Sequence, residues 1–147
     1  MQGRSTRAVA AELIDSATQR VHVATYSATR SSPYVKSLKS ALARGVEVTL
    51  VVDLAHQAVA VEMMATELAG SMILDLLPRE DGQYAAMHAK LVLVDDLVAL
   101  VTSANFSESA ADRNLEAGVI VRDPNVVRGM REHLDALLAA GALVPLD

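Results

Sequence analysis

The first half of the chain alternates short apolar runs with segments of helical spacing, and this order limits the possible folds more than any other feature. The runs are rich in valine and leucine and have the length of buried strands, which predicts strands over 20–26, 46–53 and 72–77. Segments with apolar residues three and four positions apart lie between them. Because a helix carries the chain back to the start of the next strand, this β-α-β-α-β order predicts parallel pairing.

Residues that favour helix ends mark the limits of the helices. Ser32 followed by Pro33 is typical of an N-cap and a first helical residue, and this helix is expected to end at Gly45. The next helix is predicted over 58–69, because a glycine follows it. An amphipathic helix over 8–17 is predicted ahead of the first strand. Three helices are therefore expected in the first half of the chain.

The second half changes to closely spaced strands and ends with a helix and a short strand. These elements are predicted at 87–94, 97–102, 115–121, 124–140 and 142–146. A chain of 147 residues is about the size of one domain. We therefore expect an α/β fold, a mixed β-sheet flanked by helices on both faces, in a single domain over residues 1–147.

One segment of the second half places reactive side chains within predicted strands. One residue separates His88 from Lys90, and because strand side chains alternate between faces, both are expected on the same face. Ser103 and Asn105 follow the next predicted strand and arrive beside them if the two strands pair as a hairpin. This set of side chains is suited to binding and attacking a phosphate. It provides an ammonium group, two neutral hydrogen-bonding groups, and an imidazole that attacks or transfers protons near neutral pH.

The motif His-x-Lys-x4-Asp-x7-Ser-x-Asn resembles the signature of the phospholipase D superfamily, His-x-Lys-x4-Asp-x6-Gly-Ser-x-Asn. The two agree at every position except Thr102, where the family usually has glycine. Asn114 and Glu116 resemble the family's downstream Asn-x-Glu element, and residues 21–29 with 44–53 resemble its opening β-α-β unit. The resemblance covers nearly the whole chain and implies the phospholipase D/nuclease fold.

The resemblance implies that His88, Lys90 and Glu116 are catalytic. A histidine that attacks phosphorus needs its other ring nitrogen held by a carboxylate or a carbonyl, which fixes the tautomer and stabilises the charged ring. The resemblance assigns that task to Glu116. An exposed strand glutamate is the alternative, but the apolar neighbours of Glu116 favour the site.

The remaining motif residues are implied to bind phosphate or to support the fold. Lys90, Ser103 and Asn105 are the expected phosphate ligands. Asp95 lies roughly 23 Å from His88 if the strand is extended, so it is interpreted as structural, fixing the turn between two strands. Asn114 is interpreted as structural as well.

The chain contains one His-x-Lys motif, whereas in-line displacement at a phosphodiester needs a nucleophile on one side and a proton donor on the other. Family enzymes with one motif per chain assemble their site across a dimer two-fold axis. The resemblance therefore implies a homodimer in which one His88 forms a phosphohistidine and the other protonates the leaving group. No cofactor and no metal is expected, because the lysines, hydroxyls and amides supply the charge stabilisation.

The substrate has several interpretations. Small single-motif members of the superfamily are bacterial nucleases, which favours hydrolysis of nucleic acid, with DNA favoured over RNA. A phospholipase or phosphatidyl transferase is the second reading, although the sequence has no apolar membrane-docking helix with a basic face. The third is a catalytically silent nucleic-acid-binding or assembly subunit of a defence system.

Two features support the silent subunit. One is Thr102, because a β-branched residue does not easily adopt the positive backbone angles open to glycine. The other is the net charge of −5, since proteins that hold long nucleic acid normally carry a basic surface. Residues 113–145 also resemble the phospholipase D-like component of the DISARM antiphage defence system, which implies other defence proteins as partners.

Composition narrows the setting of the protein. The absence of cysteine excludes disulfides and thiolate metal sites. The apolar runs are too short to span a bilayer, and the first twenty residues lack the apolar region of a signal peptide. We therefore expect a cytoplasmic protein without membrane association.

Three further histidines are weaker candidates for the site. His22 lies between valines in a predicted strand, where a packed or edge histidine is commoner than a catalytic one. His133 is expected on the surface of the last helix. His56 follows Asp53 near the carboxyl end of a strand, where α/β proteins bind ligands, but two residues do not define a metal site.

Overall fold

A computed structural model describes residues 6–25, 30, 32–77, 90–102 and 117–146. These parts of the chain contain four helices and seven strands, which are, in chain order, α1 (Thr6–Asp15), β1 (Arg20–Ala24), α2 (Pro33–Ala43), β2 (Glu47–Val52), α3 (Ala58–Glu67), β3 (Met72–Leu76), β4 (Leu91–Val94), β5 (Val98–Thr102), β6 (Gly118–Val121), α4 (Pro124–Ala139) and β7 (Leu143–Pro145).

The seven strands form one sheet in the order β6-β5-β4-β1-β2-β3-β7. Strands β1, β2 and β3 pair in parallel, as the β-α-β-α-β order predicted. Strand β4 lies antiparallel to β1, and β5 and β6 continue the sheet in antiparallel pairing. Strand β7 is the outer strand on the other side of the sheet and pairs antiparallel to β3. The sheet is therefore mixed, which confirms the predicted fold class.

Helices cover both faces of the sheet. On one face, the three-helix face, α1, α2 and α3 pack on buried strand residues such as Val23, Leu50 and Val92. On the opposite face, the α4 face, leucines and Val127 of α4 pack on residues such as Leu93. Residues on either face alternate along each strand, as the period of two requires.

Helix α1 corrects the predicted boundaries. It was expected over 8–17 but spans Thr6–Asp15. The chain leaves the helix at Ser16, whose hydroxyl donates to the Leu13 carbonyl at 2.6 Å. The Arg44 guanidinium then donates to two carbonyls at this end, those of Ile14 and Ala17. A cation there is favourable because a helix C-terminus carries partial negative charge.

Helix α2 begins where the sequence predicted. Ser32 has extended backbone at the N-cap and Pro33 opens the helix, although the Ser32 side chain makes no capping hydrogen bond. At the other end Gly45 has a φ of +85°. The N–H groups of Gly45 and Val46 bind the carbonyls of Leu42 and Ala41, which is the Schellman arrangement. The glycine therefore ends the helix because it alone adopts this left-handed angle without strain.

Membrane-spanning helices are not found among the described residues, in which no helix combines the necessary length and apolar character.

Candidate functional site

The carboxyl ends of β1, β2, β3 and β5 and the start of β4 meet at one edge of the sheet. Leu91 pairs with Ala24 of β1 and with Val101 of β5. One residue further, the Thr102 N–H donates to the Lys90 carbonyl at 3.0 Å. Lys90 therefore lies between the ends of β1 and β5. We call this end of the sheet the Lys90 edge.

The strand alternation assigns Lys90 to a face. Val92 packs in the core of the three-helix face, whereas Leu91 packs among the apolar residues of the α4 face. Because side chains alternate, Lys90 is on the three-helix face, at the position that continues the Val92 row to the edge. Its side chain is neither fully buried nor fully exposed.

Thr102 is the residue where the family motif usually has glycine, and it lies in regular strand. It pairs with Gly118 of β6, and its hydroxyl donates to the Ala117 carbonyl at 3.2 Å. Among the residues that the structure describes, the non-glycine residues with positive φ are Asp95 and Asp96 alone. Threonine therefore introduces no left-handed strain here.

Asp95 lies at the other end of β4, in the turn that joins β4 to β5. Asp95 and Asp96 have φ of 55° and 54°, and the Leu97 N–H donates to the Val94 carbonyl, which together define a type I′ turn. Asp95 is five positions after Lys90, or about 17 Å along an extended chain. Asp95 is thus remote from the Lys90 edge.

The Asp95 carboxylate binds the segment that precedes β1. It accepts the backbone N–H groups of Thr18, Gln19 and Arg20 at 2.9, 2.8 and 2.9 Å, and also the Thr18 hydroxyl. Partial burial alone would raise the pKa of Asp95, but these backbone hydrogen bonds outweigh it and lower the pKa below its usual value. The contacts support the structural interpretation of Asp95.

A second charged group lies on the α4 face. The Arg131 guanidinium donates to both carboxylate oxygens of Asp96, at 2.7 and 3.0 Å, and to Asp135 at 2.7 Å. His22 lies among these charges, and burial is the main cause that lowers its pKa. The group joins α4 to the β4–β5 turn, on the face opposite to Lys90. His22 is therefore not brought to the Lys90 edge.

Asp53 and His56, which the sequence alone does not define as a metal site, form a pair at the Lys90 edge. Asp53 follows β2 directly, and both of its carboxylate oxygens lie 2.8 Å from His56 Nδ1. The Asp53 side chain is 2% exposed and that of His56 is 24% exposed. Nearby, the buried Asp75 carboxylate accepts the Leu54 N–H at 2.8 Å. In the sequence, Asp53 and His56 are marked by their position after a predicted buried strand.

Most of the predicted site lies outside the described residues. These residues are His88, Ser103, Asn105, Asn114 and Glu116, so their catalytic, phosphate-binding and structural roles stay predictions. Their neighbours in sequence are described, since Ser103 follows Thr102 and Glu116 precedes Ala117. In the described ranges, no three histidine, aspartate or glutamate side chains form a group suited to a metal ion.

Comparison with known proteins gives curated relatives of one kind. Cardiolipin synthase B of Escherichia coli O6:H1 is 28% identical over 107 residues, which cover 73% of this chain and 26% of the relative. The probable cardiolipin synthase YwiE of Bacillus subtilis is 24% identical over 124 residues, which cover 84% of this chain and 25% of the relative. The chain therefore spans about a quarter of the length of these relatives.

Two solved structures share the fold over nearly their whole length. Nuc of Salmonella typhimurium, a phospholipase D family member, has a TM-score of 0.78 at 23% identity, with 95% of this chain and 90% of Nuc covered. NucT of Helicobacter pylori has a TM-score of 0.78 at 23% identity, with 95% and 89% covered. This likeness shows that the fold is the one expected from the sequence motif.

A family profile described as "Cardiolipin synthase, PLD-like domain" matches residues 10–138. That range contains the whole motif from His88 to Glu116 and all four helices in part or in full. The chain therefore belongs to the phospholipase D-like domain family.

Proposed function

We propose that this chain is a metal-independent phosphodiesterase that hydrolyses nucleic acid, with DNA favoured over RNA, in a site shared by two subunits. The observation that carries the proposal is the hydrogen bonding around Thr102. Its N–H binds the Lys90 carbonyl and its hydroxyl binds the Ala117 carbonyl. Thr102 therefore connects Lys90 of the motif with Ala117, and each of these two residues lies one strand spacing from it.

The chemistry follows from the residues of the motif. A ring nitrogen of His88 attacks phosphorus, the bond from phosphorus to the leaving oxygen breaks, and His88 of the partner subunit gives that oxygen a proton. Water then attacks the same phosphorus, the bond from phosphorus to the His88 nitrogen breaks, and the water gives a proton to His88 of the partner subunit. Lys90, Ser103 and Asn105 hold the non-bridging oxygens, and Glu116 holds the attacking ring.

Exposed apolar residues beside the Lys90 edge support the homodimer. Val101 and Val119 pair across β5 and β6, and they are 39% and 63% exposed. By alternation from Ala99 they lie on the α4 face. In the described part of the chain β6 pairs on one side only, with β5. We call Val101 and Val119 the valine patch; it lies on the face opposite to Lys90, and a second copy that covers it meets the sheet at the end where Lys90 lies.

A lipid substrate is the second candidate, and the curated relatives favour it because they are cardiolipin synthases. The same two-step displacement then gives phosphatidyl transfer when a lipid hydroxyl replaces water. The chain spans only a quarter of those proteins, whereas it shares nearly its full length with Nuc and NucT. For this reason the nuclease remains the first choice.

The other expectations from sequence stay predictions. These are the single domain over 1–147, cytoplasmic location, a silent role, and partners in a DISARM-like defence system. Thr102 supports the silent role less than its sequence suggested, because the residue adopts ordinary strand geometry.

The deciding experiment compares wild type with His88→Ala on bis(p-nitrophenyl) phosphate, plasmid DNA, RNA and phosphatidylglycerol vesicles, each with and without EDTA. We expect EDTA-resistant turnover of the aryl diester and of DNA, lost in the variant. An acid-labile phosphoryl group should be trapped on the peptide that contains His88. Turnover that needs an added divalent ion contradicts the metal-independent mechanism, and turnover of lipid alone favours the transferase.

A further inference from the structure

Helix α2 exposes a face on which every charge is positive. Its buried residues, which include Val35 and Leu38, pack in the core with Val92 of β4, so α2 covers the three-helix face of the sheet. Its exposed residues are Pro33, Lys36, Lys39, Ser40 and Ala43. None of these is acidic, whereas exposed helices usually carry charges of both signs. We call Lys36 and Lys39 the α2 lysines.

The α2 lysines lie on a helix that starts at the Lys90 edge. Helix α2 follows β1, which ends at that edge, and it returns the chain to the start of β2, where Glu47 pairs with Arg20 at the other end of β1. Lys36 is the fourth residue of α2, so it lies about 5 Å along the axis from the first residue. Since the chain contains no lysine besides Lys36, Lys39 and Lys90, all of its lysines lie on the three-helix face.

Carboxylates neutralise the α2 lysines only in part. In the described part of the chain, Lys36 makes no ion pair. Lys39 Nζ binds Glu67 of α3 at 2.5 Å, and the same carboxylate binds the Arg30 guanidinium at 2.8 Å. The side chains of Lys39 and Arg30 stay 50% and 70% exposed. Glu62 of α3 lines a cavity with Arg30. Three cations therefore meet two carboxylates here, although the whole chain has a net charge of −5.

A surface that keeps an excess of cations in an acidic protein fits a partner that carries repeated negative charge. On the α4 face, by contrast, Arg131 binds both Asp96 and Asp135 at 2.7 Å. An arginine bound in this way is committed to the fold, whereas an exposed ammonium group without a carboxylate is open to a ligand. The phosphate backbone of nucleic acid is such a ligand, because lysines that neutralise phosphates release counterions and so strengthen binding.

We propose that the α2 lysines bind the sugar–phosphate backbone of the nucleic acid whose phosphodiester is cleaved at the Lys90 edge. This inference rests on the proposed nuclease function and identifies the surface along which the strand leaves the site. Contacts to phosphates carry no sequence information, so binding is independent of base sequence. The α2 lysines are on the side of α2 away from the sheet, and a helix with its side chains is about 10–12 Å across. A ligand confined to the Lys90 edge therefore does not reach them, whereas a strand of several nucleotides does.

The test measures binding in a His88→Ala background, in which no substrate is cleaved. Lys36→Gln and Lys39→Gln remove one charge each, and Lys36→Arg keeps the charge. Arg122→Gln is the matched control, because Arg122 is an exposed cation that follows β6 at the end of the sheet opposite to the Lys90 edge, and its loss changes the net charge equally. The probes are labelled oligothymidylates of about three and about fifteen nucleotides, and phosphatidylglycerol vesicles. Thermal unfolding checks that each variant is folded.

We expect Lys36→Gln to weaken binding of the long oligothymidylate about fivefold at about 0.1 M salt, and to reduce the slope of log affinity against log salt concentration by about 0.7. Lys39→Gln should give a smaller loss, because Lys39 already shares Glu67 with Arg30. Lys36→Arg and Arg122→Gln should bind within about twofold of the parent. The short oligothymidylate should bind all variants alike.

Four results would overturn the proposal. The first is unchanged binding of the long oligothymidylate to Lys36→Gln. The second is an equal loss in Arg122→Gln, because net charge alone then explains the effect. The third is an equal loss on the short oligothymidylate, which places the lysine at the cleavage site itself. The fourth is a loss on vesicles without a loss on the oligothymidylate, which shows that this face binds an anionic membrane instead.

The binding measurement separates this inference from the proposed function. If wild type cleaves no nucleic acid but the long oligothymidylate still needs Lys36, the binding surface stands and the proposed nuclease fails. If wild type cleaves DNA and Lys36→Gln binds it as tightly as the parent does, the nuclease stands and the α2 surface fails.

Discussion

Asp95 and Arg20 bind each other through two hydrogen bonds across 75 positions of the chain. The Asp95 carboxylate accepts the Arg20 N–H at 2.9 Å, and the Asp95 N–H donates to the Arg20 carbonyl at 3.0 Å. These bonds fix the start of β1 against the β4–β5 turn. The register of β1 on β4 follows from them, and that register sets Lys90 at the opposite edge.

Substitution of Asp95 should destabilise the protein in proportion to the hydrogen bonds lost. Asp95→Asn keeps one acceptor oxygen and tolerates a positive φ, so we expect a loss of about 1 kcal/mol in the free energy of unfolding. Asp95→Ala removes every acceptor and adds left-handed strain, so about 3 kcal/mol is expected. Urea denaturation measures both. Equal small losses for the two variants would contradict the role assigned to the carboxylate.

Acid should remove the stability that the Asp95 carboxylate contributes. The pKa of Asp95 is lowered in the folded protein from an ordinary value of 3.8. Because the pKa of Asp95 is lower in the folded than in the unfolded protein, its contribution to stability is complete above the unfolded-state pKa. That contribution is lost as the pH falls through the folded-state pKa. We therefore expect the stability difference between wild type and Asp95→Asn to be constant near neutral pH and to shrink below about pH 4. Urea midpoints across pH 2.5–7 check this, and a difference that grows on acidification would refute it.

The Thr102 hydroxyl should matter more for turnover than for folding. Thr102→Val keeps the shape and loses the bond to the Ala117 carbonyl, which costs about 1 kcal/mol of stability and leaves the residue before Ala117, Glu116, less well placed. We expect a several-fold fall in kcat at unchanged KM, and near wild-type kinetics for Thr102→Ser. If the valine and serine variants behave alike on bis(p-nitrophenyl) phosphate, the hydroxyl has no positioning role.

Two glycines should respond to alanine in opposite directions. At Gly118 an added Cβ would meet Leu100 and Thr102 at 3.4 and 3.5 Å, which is ordinary contact. Gly118→Ala should therefore stabilise by about 0.5–1 kcal/mol, since it restricts the unfolded chain. Gly45 has a φ of +85°, so Gly45→Ala should destabilise by at least about 1 kcal/mol. Thermal unfolding of both variants tests the pair, and a destabilised Gly118→Ala would mean that β6 cannot accept a side chain.

Local patterns predicted the elements, whereas contacts between distant residues set details that the patterns missed. Periodicity and end residues identified β1 to β3, α4 and the Schellman glycine of α2. The end of α1 was misplaced because the chain turns at Ser16 so that Thr18 and its neighbours reach Asp95. A partner 77 positions away leaves no trace in a local pattern.

The motif predicted the residues of the site. It did not predict the contact between Asp53 and His56, which lie outside the motif. Period and register assign Lys90 to a face because it lies beside a regular strand, whereas its role in the site stays a prediction. The Asp53–His56 contact depends on a turn conformation that neither residue type dictates.

The shared site makes a quantitative prediction about mixed dimers. A heterodimer with one His88→Ala subunit lacks either the nucleophile or the proton donor, so it should be inactive. If wild type re-equilibrates with a tenfold excess of the variant, activity per wild-type subunit should fall to about a tenth, because subunits pair at random around a two-fold axis. The measurement is turnover of bis(p-nitrophenyl) phosphate after mixing.

Disruption of the valine patch is a second test of the shared site, because it changes the proposed dimer interface and leaves His88 in place. Val119→Lys places a charge at its centre, so the dimer should weaken about tenfold or more, and turnover should depend on protein concentration. Val59→Lys is the matched control, because Val59 is 83% exposed on α3, away from the patch, and should leave both quantities unchanged. Sedimentation across a dilution series gives the dimer affinity. A Val119→Lys monomer with full activity, or mixed dimers that keep the activity of their wild-type subunits, would exclude a site built from two copies of His88.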